Sequence, residues 1–253
     1  MPELPASARM SLWGTCLLTG RVDVDTAIEA SAPDADHATG ARTWLETCSS
    51  LGERVVLMAL PRPGDYGDAP GGGDLREAAL AAGECVFVPG LGGGLVPLVE
   101  EYGPPGDRGV SVTWRHHDSD PVAPHVLDAW SSRQAERDLS RAMAEATQAL
   151  SGLAVPWASR GLADGAAARL GTPTWALPAG LPPPAARLID LAAGVADLAR
   201  LATDSPDDGT NAAGIAARQQ HLRRLAAAAH HALTRGINVA ALHLAGLRPG
   251  RDD

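Results

Sequence analysis

Hydrophobic patterning changes character near residue 123, and that change limits the fold more than any other feature of these 253 residues. Before it lie five short apolar runs, Leu12–Leu18, Arg54–Leu60, Glu84–Pro89, Leu95–Tyr102 and Val110–His116, each bounded by turn residues and each of strand length. After it, apolar residues recur at steps of three and four. Leu139, Met143, Ala146 and Leu150 mark one stretch, Leu188, Leu191, Val195 and Leu198 a second, and Ile215, Leu222, Leu225, Ala229 and Leu233 a third. The pattern predicts an α+β protein. Residues 1–122 form a mixed five-stranded sheet with helices, and residues 123–253 form a bundle of about three long helices that can pack on the sheet as one unit.

The connections predict strand direction. Helical stretches begin near Asp25 and run from His37 to Ser50, and a short helix runs from Asp74, an N-cap candidate, to Ala82 with Gly83 as its stop. Helix-containing crossovers join parallel strands, whereas turns of the length of Gly90–Gly94 and Gly103–Gly109 reverse the chain. The first three runs are therefore expected parallel, the fourth reversed and the fifth parallel to the third. One sheet edge would then gather Arg21, Asp23, Arg62, Asp65, the Gly90–Gly94 turn and His116–Asp120. Pro61–Gly73 is long for a crossover and could serve as a lid. In the helical half a loop-rich interval, Pro156–Pro184, carries Trp157 and Trp175, a polar loop spans Thr203–Thr210, and the last helix is expected to break near Gly236.

Composition removes several chemistries. All 21 basic residues are Arg. Without Lys there is no Schiff base, no Walker A phosphate contact, no kinase strand lysine and no Ser-Lys nucleophile. Residues 1–130 hold 8 Arg against 19 acids, net −11, and residues 131–253 hold 13 Arg against 11, net +2. An acidic half without a basic stripe argues against nucleic acid. Aromatic residues make up only 4%, so Ala, Leu and Val must build the core. Cys16, Cys48 and Cys85 never form a CxxC pair, which fits reduced thiols in the cytoplasm rather than a disulfide or zinc module. No run reaches the ~18 apolar residues of a membrane span.

Two motifs invite a site. Gly90-Leu91-Gly92-Gly93-Gly94 follows a strand, but Leu95 replaces the third glycine of a dinucleotide fingerprint and Pro97 interrupts the helix it needs. Gly92 and Gly93 remain ligand-binding candidates beside Arg21, Asp23, Arg62 and Asp65. His116-His117-Asp118-Ser119-Asp120 is the densest set of potential ligands. His116, His117, Asp118 and Asp120 are the catalytic candidates, and His116 and Asp118 could start a divalent-metal site whose third ligand the sequence does not name. The bland alternative is a strand end passing into an Asp-Ser-Asp-Pro turn. His221, His230, His231 and His243 contain no pair spaced for a zinc helix, His230 and His231 are expected at the surface, and no G-x-S-x-G elbow exists. Cys48 and Cys85 sit where small core thiols are expected.

Val86-Phe87-Val88-Pro89-Gly90, Leu95-Val96-Pro97, Glu101-Tyr102-Gly103-Pro104 and Leu181-Pro182-Pro183 ahead of a helix resemble an uncharacterised protein family of high-GC actinobacteria. The resemblance covers most of the chain. It implies a bacterial cytoplasmic setting and transfers no reaction, ligand or catalytic residue. The expectation is therefore a non-catalytic cytoplasmic protein that binds a small molecule or a protein partner, off the membrane, with a homodimer left open and no cofactor. The alternative is a hydrolase-like enzyme, metal-assisted or acid/base, working through His116–Asp120 with Arg21 or Arg62 as anion clamp.

Overall fold

The computed structural model describes residues 4–104, 106–151, 175–204 and 212–248. The chain is α+β, as its patterning predicts. In order, its elements are α1 Ala6–Leu18, α2 Val24–Ser31, β1 His37–Thr39, α3 Arg42–Ser50, β2 Leu57–Ala59, α4 Leu75–Ala82, β3 Cys85–Phe87, β4 Gly94–Tyr102, β5 Gly109–His117, α5 Pro124–Asp128, α6 Ser132–Ser151, α7 Pro183–Asp204 and α8 Ala212–Leu244. The five strands form one mixed sheet in the order β1-β5-β4-β3-β2.

Membership of that sheet differs from the expectation at two places. Leu12–Leu18 belongs to helix α1, which is buried on nearly every side, from Ser7 through Cys16. A helix with no solvated face has no polar stripe to show a 3.6-residue period, so its apolar run reads like a buried strand. The fifth strand is instead His37–Thr39, expected as the start of a helix. It pairs parallel with β5, His37 beside Ser111. Asp36 secures the pairing with backbone and side chain, donating its N–H to the Val110 carbonyl at 2.9 Å and accepting from the Val110 N–H at 2.8 Å.

Direction also departs from the expectation, because β2 and β3 are antiparallel, with Leu57 opposite Phe87 and Ala59 opposite Cys85. The long loop after β2 explains it. Residues 61–73 cross the length of the sheet by themselves and reach the end of β5, where the Leu75 N–H donates to the Asp118 carbonyl at 3.0 Å and the Asp120 N–H donates to the Gly71 carbonyl at 2.8 Å. Helix α4 makes the return crossing. Two crossings bring β3 in at the end where β2 left. β4 and β5 then form a long antiparallel hairpin, Gly94 opposite His117 and Tyr102 opposite Gly109.

β2 is an edge strand, yet all of Val55–Leu60 is buried. Its outer backbone groups are satisfied by helix side chains. The Val56 carbonyl accepts from Ser11 Oγ at 2.7 Å, and the Val56 N–H donates to Thr15 Oγ1 at 3.0 Å. Two residues on, the Met58 N–H donates to Asn238 Oδ1 at 2.8 Å and the Met58 carbonyl accepts from Asn238 Nδ2 at 2.9 Å. The Asn238 amide thus replaces a neighbouring strand, and α8 is keyed to the sheet. α8 packs along α6 and α7 as well as α1. Its expected break at Gly236 is absent: the helix is continuous, and Gly236 packs against α7, a Cβ there lying 3.1 Å from Ile189 Cγ1. One apolar core therefore runs from Leu4 through Phe87 to Ala245. Phe87 is its largest fully buried side chain, beside Met, Leu and Ile.

Replacing Asn238 by Leu keeps volume and removes both bonds to Met58. Two buried backbone groups would be left unpaired, at about 1–3 kcal/mol each. A urea titration should show the midpoint fall accordingly, and Asn238→Asp should lose at least as much at neutral pH, because a buried carboxylate has no proton to donate to the Met58 carbonyl.

Candidate functional site

Three backbone segments meet where β5 ends. Asp74, at the start of α4, does not cap its own helix. Its Oδ2 accepts from His117 Nδ1 at 2.8 Å and its Oδ1 from the Asp118 N–H at 3.0 Å. A carboxylate only accepts, so Nδ1 carries the proton. These two bonds hold the Asp74 carboxyl below its ordinary pKa, the His117 bond first. On the other flank, the Gly93 N–H donates to Ser119 Oγ at 2.9 Å and to the Ser119 carbonyl at 3.2 Å. Gly92 has φ +78°, and a Cβ there would lie 2.3 Å from the Ser119 carbonyl oxygen, so this turn requires glycine. His116 is exposed and lies across from Leu95, its ring beside Gly93.

His117, Asp118, Asp120, Gly92 and Gly93 do come together, but chiefly through the backbone bonds of interlocked turns. Among the described residues no group of three His, Cys, Asp or Glu is placed to hold a metal, so His116 and Asp118 have no third ligand there. The remaining candidates are elsewhere. Arg62 and Asp65 form a tight turn, each N–H donating to the other's carbonyl, beyond the end of β2. Because β2 runs antiparallel to β3, that turn leaves from the sheet end opposite His117. Arg21 donates to the Leu244 carbonyl at 2.9 Å, at the end of α8. Asp23 caps α2, accepting from the Thr26 N–H at 2.8 Å, and that bond lowers its pKa. The single polar edge expected from the sequence is thus divided, because α1 is a helix and β2 is reversed. Of the interval Pro156–Pro184, residues 156–174 with Trp157 lie outside the described residues, as do residues 205–210 of Thr203–Thr210, whereas Trp175 is buried and donates to Asp190 Oδ1 at 2.8 Å.

A buried ionic cluster that sequence reasoning missed ties the 61–73 loop to α8. Asp68 Oδ1 accepts from Arg235 Nη2 at 2.8 Å, with only 13% and 15% of the two side chains exposed. The Arg235 guanidinium also lies 4.7 Å from the centre of the buried Trp130 ring. Burial raises the Asp68 carboxyl above its ordinary value and lowers Arg235 below its own, outweighing their mutual attraction in both. His230, expected at the surface, is half-buried. Desolvation, helped by Arg62, lowers its pKa to about 4. His231 is exposed, as expected. Cys48 and Cys85 are buried and free, their thiols pushed up to about 11 and about 12 by desolvation, which keeps them unreactive.

The residues forming a cavity are different again. A cleft of about 420 Å³ opens at the start of β2. Its apolar lining is Val55, Pro89, Val122, Leu127, Leu242 and Leu247, drawn from four separate stretches of chain. Glu53, Arg54, Asp128 and Arg248 add four charges. Glu53 and Arg248 are committed to structure, Glu53 accepting from the Leu91 N–H and Arg248 donating to the Asp128 carbonyl at 2.9 Å. Arg54 is exposed and has no hydrogen bond or ion pair among the described residues. Leu247 is 54% exposed at the mouth. No local motif marks these positions, since none adjoins another's segment in sequence.

Residues 7–130 match the model of the N-terminal domain of Rv1486c-like proteins, and residues 133–234 match that of their C-terminal domain. The chain belongs to the Rv1486c-like family. This agrees with the resemblance to an uncharacterised conserved family, and the two domain models meet between Trp130 and Arg133. The chain matches no curated protein and no solved structure.

Two outcomes follow from the loop–α8 contacts. Asp68→Ala leaves the Arg235 charge buried and should cost about 3 kcal/mol in denaturant unfolding, whereas the double replacement Asp68→Leu with Arg235→Met should recover most of the loss. His230 is neutral in the folded chain down to about pH 4 but takes up a proton below about 6.5 when unfolded. Stability should therefore fall as pH drops through that window, by up to about 3 kcal/mol. In His230→Gln the difference between urea midpoints at pH 7 and pH 4.5 should shrink.

Proposed function

We propose that this chain is a non-catalytic binding protein whose ligand enters the cleft between the α3–β2 turn, the β3–β4 turn, α5 and the end of α8. The observation that carries the reading is the composition of that cleft: a concave apolar floor with one unengaged cation, Arg54, beside it. Ligand sites are commonly of this kind, mostly apolar with a few polar groups that orient the bound molecule. The ligand it suits is small, with an apolar body and an acidic group that can reach Arg54. A high-GC actinobacterial source and a cytoplasmic setting fit the Lys-free composition, the buried free thiols and a set of described helices none of which is long and apolar enough to cross a membrane.

A hydrolase-like enzyme is the second reading. It is favoured by the His117–Asp74 pair, a base held in one tautomer by a carboxylate. It has less support, because none of His116, His117, Asp118 and Asp120 lines the cleft.

Anilinonaphthalene sulfonate, an apolar body bearing one anion, tests the first reading. It should bind with enhanced fluorescence, and Leu247→Glu should weaken it at least about tenfold, the equivalent of one lost apolar side-chain contact. Arg54→Glu should also weaken it, with thermal unfolding unchanged in both variants because both side chains are exposed. Binding insensitive to both changes would place the dye elsewhere and remove the basis for the cleft.

A further inference from the structure

A second surface, independent of the cleft, lies on the distal half of β4. β3 is short and pairs only with Gly94 and Leu95, so among the described residues β4 has a strand neighbour on one side alone from Val96 to Tyr102. Which backbone groups face the open side follows from Val110. Its N–H and carbonyl both bond to Asp36, on the flank away from β4. Glu101 is opposite Val110, so Glu101 also turns its N–H and carbonyl away from the hairpin partner, and by alternation Val99 does the same. Pro97 falls in the same phase, where its missing N–H costs the hairpin nothing. Neither outward pair has a bond among the described residues. The side chains here are exposed too, Leu98 by 36%, Val99 by 51% and Tyr102 by 43%.

We infer that the open edge of β4 at Val99–Glu101 is a strand-addition site for an extended segment of another protein that carries a basic residue opposite Glu100. A second copy of this chain fits worse. The antiparallel register that satisfies Val99 and Glu101 of both copies sets Val99 opposite Glu101 and therefore Glu100 directly opposite Glu100, a like-charge pair. Centring the pairing on Val99 instead places Pro97 opposite Glu101 and leaves a Glu101 carbonyl without a donor. A foreign strand with Arg or Lys at the central position turns the repulsion into attraction. Glu101 already holds Arg108 at 2.8 Å, whereas Glu100 has no partner among the described residues. Proline and paired glutamates are also what protects an edge against indiscriminate pairing, so the charge at Glu100 selects the partner.

The test uses the full chain and two capped nine-residue peptides, Ser-Thr-Val-Thr-Arg-Thr-Val-Thr-Ser and the same sequence with Glu at its centre. Amide hydrogen exchange should slow at Val99 and Glu101 when the Arg peptide is added. The Glu peptide should bind about two- to tenfold more weakly, and Glu100→Arg should reverse that order, the range expected when a cross-strand ion pair is exchanged for like charges. Unchanged exchange at Val99 and Glu101 would overturn the inference. So would equal binding of both peptides, or a protein that protects these amides by itself as its concentration rises, which would identify the occupant as a second copy.

Discussion

An edge strand buried inside a protein must have its outward N–H and carbonyl groups answered, and in this chain polar side chains on two helices answer them. Ser11 and Thr15 from α1 bond to Val56, and Asn238 from α8 bonds to Met58. Each of these bonds pairs a dry backbone group that would otherwise cost about 1–3 kcal/mol where α1 and α8 pack along β2. Everything else depends on that arrangement. It makes one core of two halves with different hydrophobic periods, and it brings Leu242 and Leu247 beside Val55 to close the cleft.

The loop after β2 is the second determinant. By crossing the sheet before α4 crosses back, it reverses β3 relative to β2 and separates Arg62 and Asp65 from the His117 end. The same loop is anchored at two places. Asp68 is held by Arg235 on α8, and Gly71–Asp74 interlocks with Asp118–Asp120. Between these anchors and the end of β2, residues 63–67 are exposed. The histidine-rich motif is best understood in that setting. Its backbone joins turns to one another, and Asp74 fixes the imidazole of His117.

Much of the fold was legible in the residues themselves. The β4–β5 hairpin was visible because its runs are long and its turn is rich in glycine, and the three C-terminal helices were visible because each has one solvated face. Helix α1 was not, since a helix buried all round carries no amphipathic signature. β1 was not either, three residues being too few to show alternation. At the candidate site, His117, Asp118 and the Gly92–Gly93 turn were correctly seen as neighbours, and the bonds from Asp74 were hidden by more than forty intervening residues. Asp68, Arg235 and the cleft were invisible for the same reason.

Composition alone determined that no lysine chemistry operates here, that the core is built with few aromatic groups and that the N-terminal half is strongly acidic. Those properties belong to the residues and survive any folding. Tertiary structure decided strand direction, the burial of His230, the loss of the single polar edge and the position of the cavity. Each of these depends on which distant segments share a backbone bond or a dry contact. Local pattern carries the period of an element, but the partner of an edge strand is chosen only when the whole chain is packed.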